Sequence, residues 1–148
     1  MQDKQNGGCD CGEVRYEFSC EVLSCYACHC TDCQTRSGAS YSLTLLIPVS
    51  EVRITKGVVV DYPAKTAALF KMCARCGVHL WGVPYVASEL ATIKVGTLDD
   101  ASWCKPAIHI FTDSAQPWVS IDERVKKFGG MPEDPLVLLE LWKQQSNA

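Results

Sequence analysis

The spacing of its ten cysteines is the feature that most constrains how this 148-residue chain can fold. Two cysteine pairs, in GGCDCG (residues 7–12) and CARCG (residues 73–77), lie about sixty residues apart. A glycine follows each pair, which lets the backbone turn tightly and frees amide N–H groups to face sulfur. A closed tetrahedral zinc site takes four such thiolates, with Zn–S bonds of about 2.3 Å. The pattern predicts a metal staple between the N-terminal segment and the middle of the chain, held by Cys9, Cys11, Cys73 and Cys76.

Two other interpretations of the cysteines are weaker. The CARC segment has the C-x-x-C spacing of a redox pair, but no βαβ pattern surrounds it. A disulfide framework belongs to an oxidising compartment, whereas the polar N-terminal segment lacks the apolar stretch of a secretory signal. We therefore expect a cytoplasmic protein with reduced thiols that bind metal.

Composition limits the partners of the chain. Hydrophobic residues make up 47% and charged residues 21%, as in ordinary globular proteins. The formal charge is −3 without a basic stripe, which argues against a nucleic-acid partner. No segment approaches the 18 uninterrupted apolar residues of a transmembrane helix, so we expect no membrane partner. The length predicts a single domain over residues 1–148.

A second cluster, Cys28, Cys30 and Cys33, lies in CHCTDC (residues 28–33). Thr31 is a predicted N-cap and Gly38 a predicted end of a short helix, which puts Cys33 in the first turn. Three thiolates with a free fourth position are the arrangement of a catalytic zinc.

A closed second site is the alternative. Cys25 would extend the spacing to C-x-x-C-x-C-x-x-C and supply a fourth sulfur, and His29 is another candidate ligand. The sequence leaves the open and closed sites both possible.

Periodicity predicts a mainly β fold. Val14, Tyr16 and Phe18 alternate with charged residues, as in a half-buried strand. SYSLTLLIP, LATIKVGTL and AIHIFT are further β-rich segments, and EVRITKG with VVVDYP predicts a hairpin around Gly57. AALFKMC and VHLWGV flank CARCG, which places that cysteine pair at a tight turn between strands.

A C-terminal helix is predicted over about residues 135–145. Pro135 suits its first turn, and Leu138, Leu139 and Trp142 share the face that would dock it.

The chain resembles the glutathione-dependent formaldehyde-activating enzyme and centromere protein V family. The motifs are GGCDCGEVRY, CHCTDCQTRSGA, CARCGVHLW, KVGTLDD and HIFTDSAQPW, within about residues 7–130. The resemblance implies a β-tent-like, zinc-stapled domain with two zinc ions, one structural on Cys9, Cys11, Cys73 and Cys76 and one catalytic on Cys28, Cys30 and Cys33. It also implies a carbon–sulfur lyase that forms S-(hydroxymethyl)glutathione from glutathione and formaldehyde, a small thiol and a small carbonyl.

Rival functions and supporting residues stay open at this point. A non-enzymatic zinc domain that binds a protein, or a glutathione carrier, would use the same cysteines. His29 and His109 are candidate proton donors that more often pack or hydrogen bond, and Arg36 is a candidate anion ligand that more often faces solvent. Core positions are expected for the remaining cysteines and the aromatics that could otherwise line a pocket: Cys20, Cys104, Trp81, Tyr85, Trp103 and Trp118.

Overall fold

The structure is a computed structural model that describes residues 3–65 and 67–148. Within those residues the fold is mainly β with two α-helices, as predicted. The strands are β1 (Gln5–Gly8), β2 (Arg15–Phe18), β3 (Ser24–Cys28), β4 (Ser42–Pro48), β5 (Arg53–Lys56), β6 (Val59–Pro63), β7 (Ala68–Cys73), β8 (His79–Pro84), β9 (Leu90–Lys94), β10 (Ile108–Ile110) and β11 (Lys126–Lys127). The helices are α1 (Thr31–Ser37) and α2 (Val137–Ser146). Neither helix combines the length and apolar character needed to cross a membrane.

The described residues form two compact units. The first contains residues 3–22 and 45–103, and the second contains residues 23–44 and 104–148, so β4 contributes to both. The prediction of one domain over the whole chain stays a prediction.

The first unit is built from antiparallel strands. β2 pairs with β1 and β5, and β6, β7, β8 and β9 follow one another in a meander. Tyr16 and Phe18 of β2 are buried as the alternation predicts. Glu17 between them is buried as well, because Lys4 and Arg53 form ion pairs with its carboxylate.

The predicted hairpin around Gly57 is wrong, although both of its strands exist. β5 pairs with β2, whereas β6 pairs with β7. Gly57 has a φ of 75°, and a Cβ at this position would overlap the carbonyl oxygen of Glu13. The turn therefore packs against the backbone just before β2, and the two strands leave it toward different partners.

The second unit places β10 between β3 and β11, with both pairings parallel. Helix α2 packs against β3 and β10, and Leu138 is buried with Leu139 and Trp142 beside it. The predicted docking face is therefore correct. The helix begins at Val137, two residues after Pro135, because the Asp134 carboxylate accepts the Leu136 N–H and forms a turn first.

Candidate metal centres

Cys9, Cys11, Cys73 and Cys76 come together as the sequence predicts, with their sulfur atoms all within 4.8 Å of one another. The Sγ atoms of Cys9 and Cys11 are 3.6 Å apart, and those of Cys11 and Cys73 are 3.8 Å apart. A tetrahedron with Zn–S bonds of about 2.3 Å has edges of about 3.8 Å. The four-sulfur set therefore fits a closed tetrahedral metal centre.

Backbone N–H groups point at these sulfurs because each cysteine pair is followed by a glycine turn. Gly12 and Gly77 have φ values of 75° and 74°, which side-chain-bearing residues rarely adopt. The Val14 N–H lies 3.2 Å from the sulfur of Cys9, and the Val78 N–H donates to Cys76. These donors stabilise thiolates, the form that binds metal.

The pKa values in the four-sulfur set differ from one thiol to the next. Hydrogen bonds from the backbone N–H groups of Cys11 and Val78 lower the pKa of Cys76 to about 6. The Glu13 N–H acts in the same direction on Cys11, but burial and the neighbouring thiols outweigh it and raise its pKa to about 12. Without a cation the four sulfurs have to share protons, and a bound metal ion would replace those protons.

Cys28, Cys30 and Cys33 form the second cluster, and their sulfurs are also within 4.8 Å of one another. The N-cap of α1 is Cys30, so the prediction that Thr31 has this role is wrong by one residue. The Cys30 backbone is extended, and its sulfur accepts the Cys33 N–H at 3.3 Å, as a serine or aspartate oxygen does at an ordinary N-cap. Gly38 ends the helix in a left-handed conformation, as predicted.

The second cluster has a buried side and an accessible side. Cys28 is buried, whereas Cys30 and Cys33 are partly exposed. A hydrogen bond with the Cys33 thiol, followed by burial, raises the pKa of Cys28. Burial also raises the pKa of Cys30, against the effect of the Cys33 N–H. Cys28 and Cys30 therefore hold their protons more firmly than Cys76 does. The partly exposed Cys30 and Cys33 form the side of the cluster that a cation could reach.

Cys25 is not part of this cluster. Among the residues that the structure describes, the group that could hold a second ion contains three cysteines. Cys25 and Cys28 are three positions apart on β3, so their side chains lie on opposite faces. Cys25 is fully buried, and burial, with a smaller effect of Cys104, raises its pKa to about 12. The geometry therefore favours a three-sulfur site over a closed four-sulfur site.

The sequence profile of the glutathione-dependent formaldehyde-activating enzymes matches residues 4–114. The chain belongs to this family. A Talaromyces marneffei protein named "Putative glutathione-dependent formaldehyde-activating enzyme" is 26% identical over 120 residues, and a Phaeosphaeria nodorum protein of the same name is 29% identical over 115 residues. Each alignment covers 72% of this chain but 59% and 58% of the two relatives, respectively.

A solved structure of a Rhodobacter sphaeroides protein has a similar fold. Its TM-score is 0.53 at 24% identity, with 64% of this chain and 87% of that chain covered. This likeness supports the mainly β fold.

Two histidines of the family-matched region form a buried pair. Nε2 of His29 lies 2.8 Å from Nδ1 of His109, and the ring of Tyr41 lies 5.0 Å from that of His29. Burial lowers the pKa of His29, and burial with smaller effects of His29 and Lys127 lowers the pKa of His109 to about 4. Both rings are therefore neutral at pH 7. His29 lies outside the three-cysteine cluster, so its place as a candidate metal ligand is not supported.

Other candidate residues divide between the core and the surface. Trp81 is buried as predicted, but Tyr85, Trp103 and Trp118 are exposed, so the core prediction is wrong for these three. Tyr85 follows the end of β8, and Trp103 and Trp118 lie in loops. Cys104 is buried, whereas Cys20 is only partly buried. Arg36 is exposed in the last turn of α1, as expected of a solvent-facing residue.

Sequence reasoning missed a pair of glutamines beside the second cluster. Gln34 follows Cys33 directly, and its side chain bonds with Gln116, two residues beyond the family match. Gln34 belongs to the motif CHCTDCQTRSGA and Gln116 to the motif HIFTDSAQPW. No spacing rule, however, indicates that two amide side chains so far apart in the sequence are in contact.

Proposed function

We propose that this chain is a zinc-dependent carbon–sulfur lyase that forms S-(hydroxymethyl)glutathione from glutathione and formaldehyde. The observation that carries the proposal is the three-sulfur cluster of Cys28, Cys30 and Cys33, with an accessible side, in a chain of this family. Three protein ligands with one free position are the usual set of a catalytic zinc.

The four-sulfur set has a structural role in the proposal. Cys9, Cys11, Cys73 and Cys76 would hold a second zinc ion that has no free position. It would connect the turn after β1 to the turn between β7 and β8. The protein would then bind two zinc ions per chain.

The second cluster would activate the thiol substrate. A zinc ion on three thiolates supplies a position at which an incoming thiol is favoured in its nucleophilic thiolate form. Cys28, which is buried, would anchor the metal from inside, while the partly exposed Cys30 and Cys33 would border the side from which glutathione arrives. In the net reaction the glutathione sulfur bonds to the carbonyl carbon, and the carbonyl oxygen gains the proton that the thiol loses. Such chemistry needs reduced thiols, so we place the protein in the cytoplasm.

Glutathione binding without turnover is the second candidate. The chain spans 59% and 58% of the length of the two relatives, so a whole relative's activity does not transfer automatically. A non-enzymatic zinc domain for a protein partner is the third, and it would need no free position on the metal.

One experiment separates these functions. Zinc-loaded protein is titrated with glutathione by calorimetry, and S-(hydroxymethyl)glutathione formation is followed by NMR after formaldehyde is added. Binding with a rate above that of buffer supports the enzyme, and binding without it supports the carrier. No binding by wild-type protein would contradict both. Cys33→Ser is the control that should abolish binding and turnover together.

A further inference from the structure

We propose that Gln34 and Gln116 are positioning residues that hold the three cysteines of the second cluster in the geometry that binds a metal ion. The inference rests on the proposed function, since it assumes that Cys28, Cys30 and Cys33 bind a metal ion. It concerns the hydrogen bonds behind the three sulfurs.

The carboxamide of Gln34 makes three hydrogen bonds. Its Nε2 donates to the carbonyl oxygen of His29 at 2.8 Å and to that of Ser114 at 2.9 Å. Its Oε1 accepts a hydrogen bond of 2.7 Å from Nε2 of Gln116. Both N–H groups of the amide are therefore used, and Gln116 fixes which end of the amide faces the two carbonyls.

His29 is the residue that this network holds, and it lies between the ligands Cys28 and Cys30. Its N–H donates to the Ile110 carbonyl at 3.0 Å, its carbonyl accepts from Gln34, and its ring bonds with His109. All three hydrogen bonds connect His29 to residues 109–116, two of them directly and one through Gln34. Both backbone polar groups of His29, its N–H and its carbonyl, are therefore hydrogen-bonded, which fixes the backbone between Cys28 and Cys30.

Fixing this backbone should strengthen metal binding. When the ligands already have the binding geometry, the metal ion loses no binding free energy in ordering them. Replacing the groups that hydrogen bond to metal ligands typically changes metal affinity by about 10 to 100-fold. Gln34 is half-buried on α1, whose N-cap and C-cap are other residues, Cys30 and Gly38. Its replacement should therefore affect the metal more than the helix.

The test compares Gln34→Met with Gln144→Met. Methionine has nearly the shape of glutamine and a similar helix propensity but makes none of the three hydrogen bonds. Gln144 is exposed on α2 and serves as the matched control. Zinc affinity is measured by competition with a coloured chelator, and the visible spectrum of Co²⁺-loaded protein reports the ligand geometry. Thermal unfolding of the same samples reports any general loss of structure.

Gln34→Met should weaken the second zinc by about 10 to 100-fold and shift its Co²⁺ bands, while the first zinc stays bound. Gln116→Met should weaken it less. The double variant should be no weaker than Gln34→Met, because Gln116 acts through Gln34. Gln144→Met should match wild type.

Unchanged affinity and spectrum in Gln34→Met would overturn the inference while leaving the proposed function intact. If Gln34→Met does not fold, the zinc affinity and the Co²⁺ spectrum of Gln116→Met test the inference instead. A wild-type protein that binds only one metal ion would overturn both proposals.

Discussion

The sulfur atoms of Cys11 and Cys73 lie 3.8 Å apart although 62 positions separate the two residues in the chain. Cys11 follows β1, and Cys73 ends β7. Their approach brings two glycine turns together, each of which directs backbone N–H groups at sulfur. A metal ion at this point would link distant segments of the chain, so its loss should lower the free energy of unfolding.

Cys76→Ser should therefore remove one zinc and lower the free energy of unfolding by more than about 4 kcal/mol, the range reached when a structural metal is lost. Metal analysis and urea denaturation measure the two effects. Cys20→Ser is the control, because Cys20 is partly exposed and outside both clusters. Equal stability of the two variants, or reduced wild-type protein without zinc, would contradict this prediction.

Cys33→Ser should remove the other zinc at a cost of less than about 1.5 kcal/mol in unfolding free energy. The three ligands come from one segment of six residues, so this metal closes no long loop. Near-ultraviolet circular dichroism should show a native spectrum with one zinc per chain. A loss of stability as large as that of Cys76→Ser would show that the two sites do not differ in this way.

Cys25→Ala should keep two zinc ions per chain and unchanged thiol binding. Removal of a fully buried sulfur should still cost about 1 kcal/mol of stability, because a small cavity remains. Metal analysis and glutathione calorimetry measure the first two properties. A zinc count of one would make Cys25 a ligand and would close the second site.

Stability should fall on acidification because of His109. Its pKa is about 4 in the fold, through burial and the neighbouring His29 and Lys127, against about 6.5 in an unfolded chain. The unfolded state therefore takes up the proton first. The stabilisation is complete above about pH 6.5 and is lost as the pH falls toward 4.

Between pH 7 and pH 5 this effect should amount to about 1 to 2 kcal/mol. Urea denaturation of wild type and His109→Gln across that range measures it, since the variant lacks the titrating group but keeps a polar side chain. The wild-type curve should be the steeper of the two, and parallel curves would count against this prediction. The ring of Tyr41 also faces the histidine pair, so Tyr41→Phe tests whether the ring or the hydroxyl matters.

Most of the strands and the two cysteine clusters were predictable because their signals are local, whereas the short strands β1 and β11 have no alternating apolar pattern and were missed. Alternation marked β2, glycines marked the turns after each cysteine pair, and β-rich runs bounded by turns marked the β7–β8 hairpin. The path around Gly57 was not predictable, because a hairpin and a change of partner strand use the same short turn. In the structure the turn packs against Glu13 and β5 pairs with β2, and both partners are far from Gly57 in the sequence.

The surroundings of the second cluster were beyond sequence reasoning for a similar reason. Cys25 has a suitable spacing, and only its position on the other face of β3 separates it from Cys28. The bond between Gln34 and Gln116 joins residues 82 positions apart. Neither residue type indicates a partner by itself, since amides are common on exposed helices and loops.

X-ray absorption at the zinc edge tests the central claim most directly, that the protein has one closed and one open zinc site. Zinc-loaded wild type should show about 3.5 sulfur ligands per zinc on average, with a lighter ligand completing the second site. Glutathione should raise the average to about 4 in wild type and in Cys25→Ala. An average of about 4 before glutathione is added, or one that glutathione does not change, would contradict the open site.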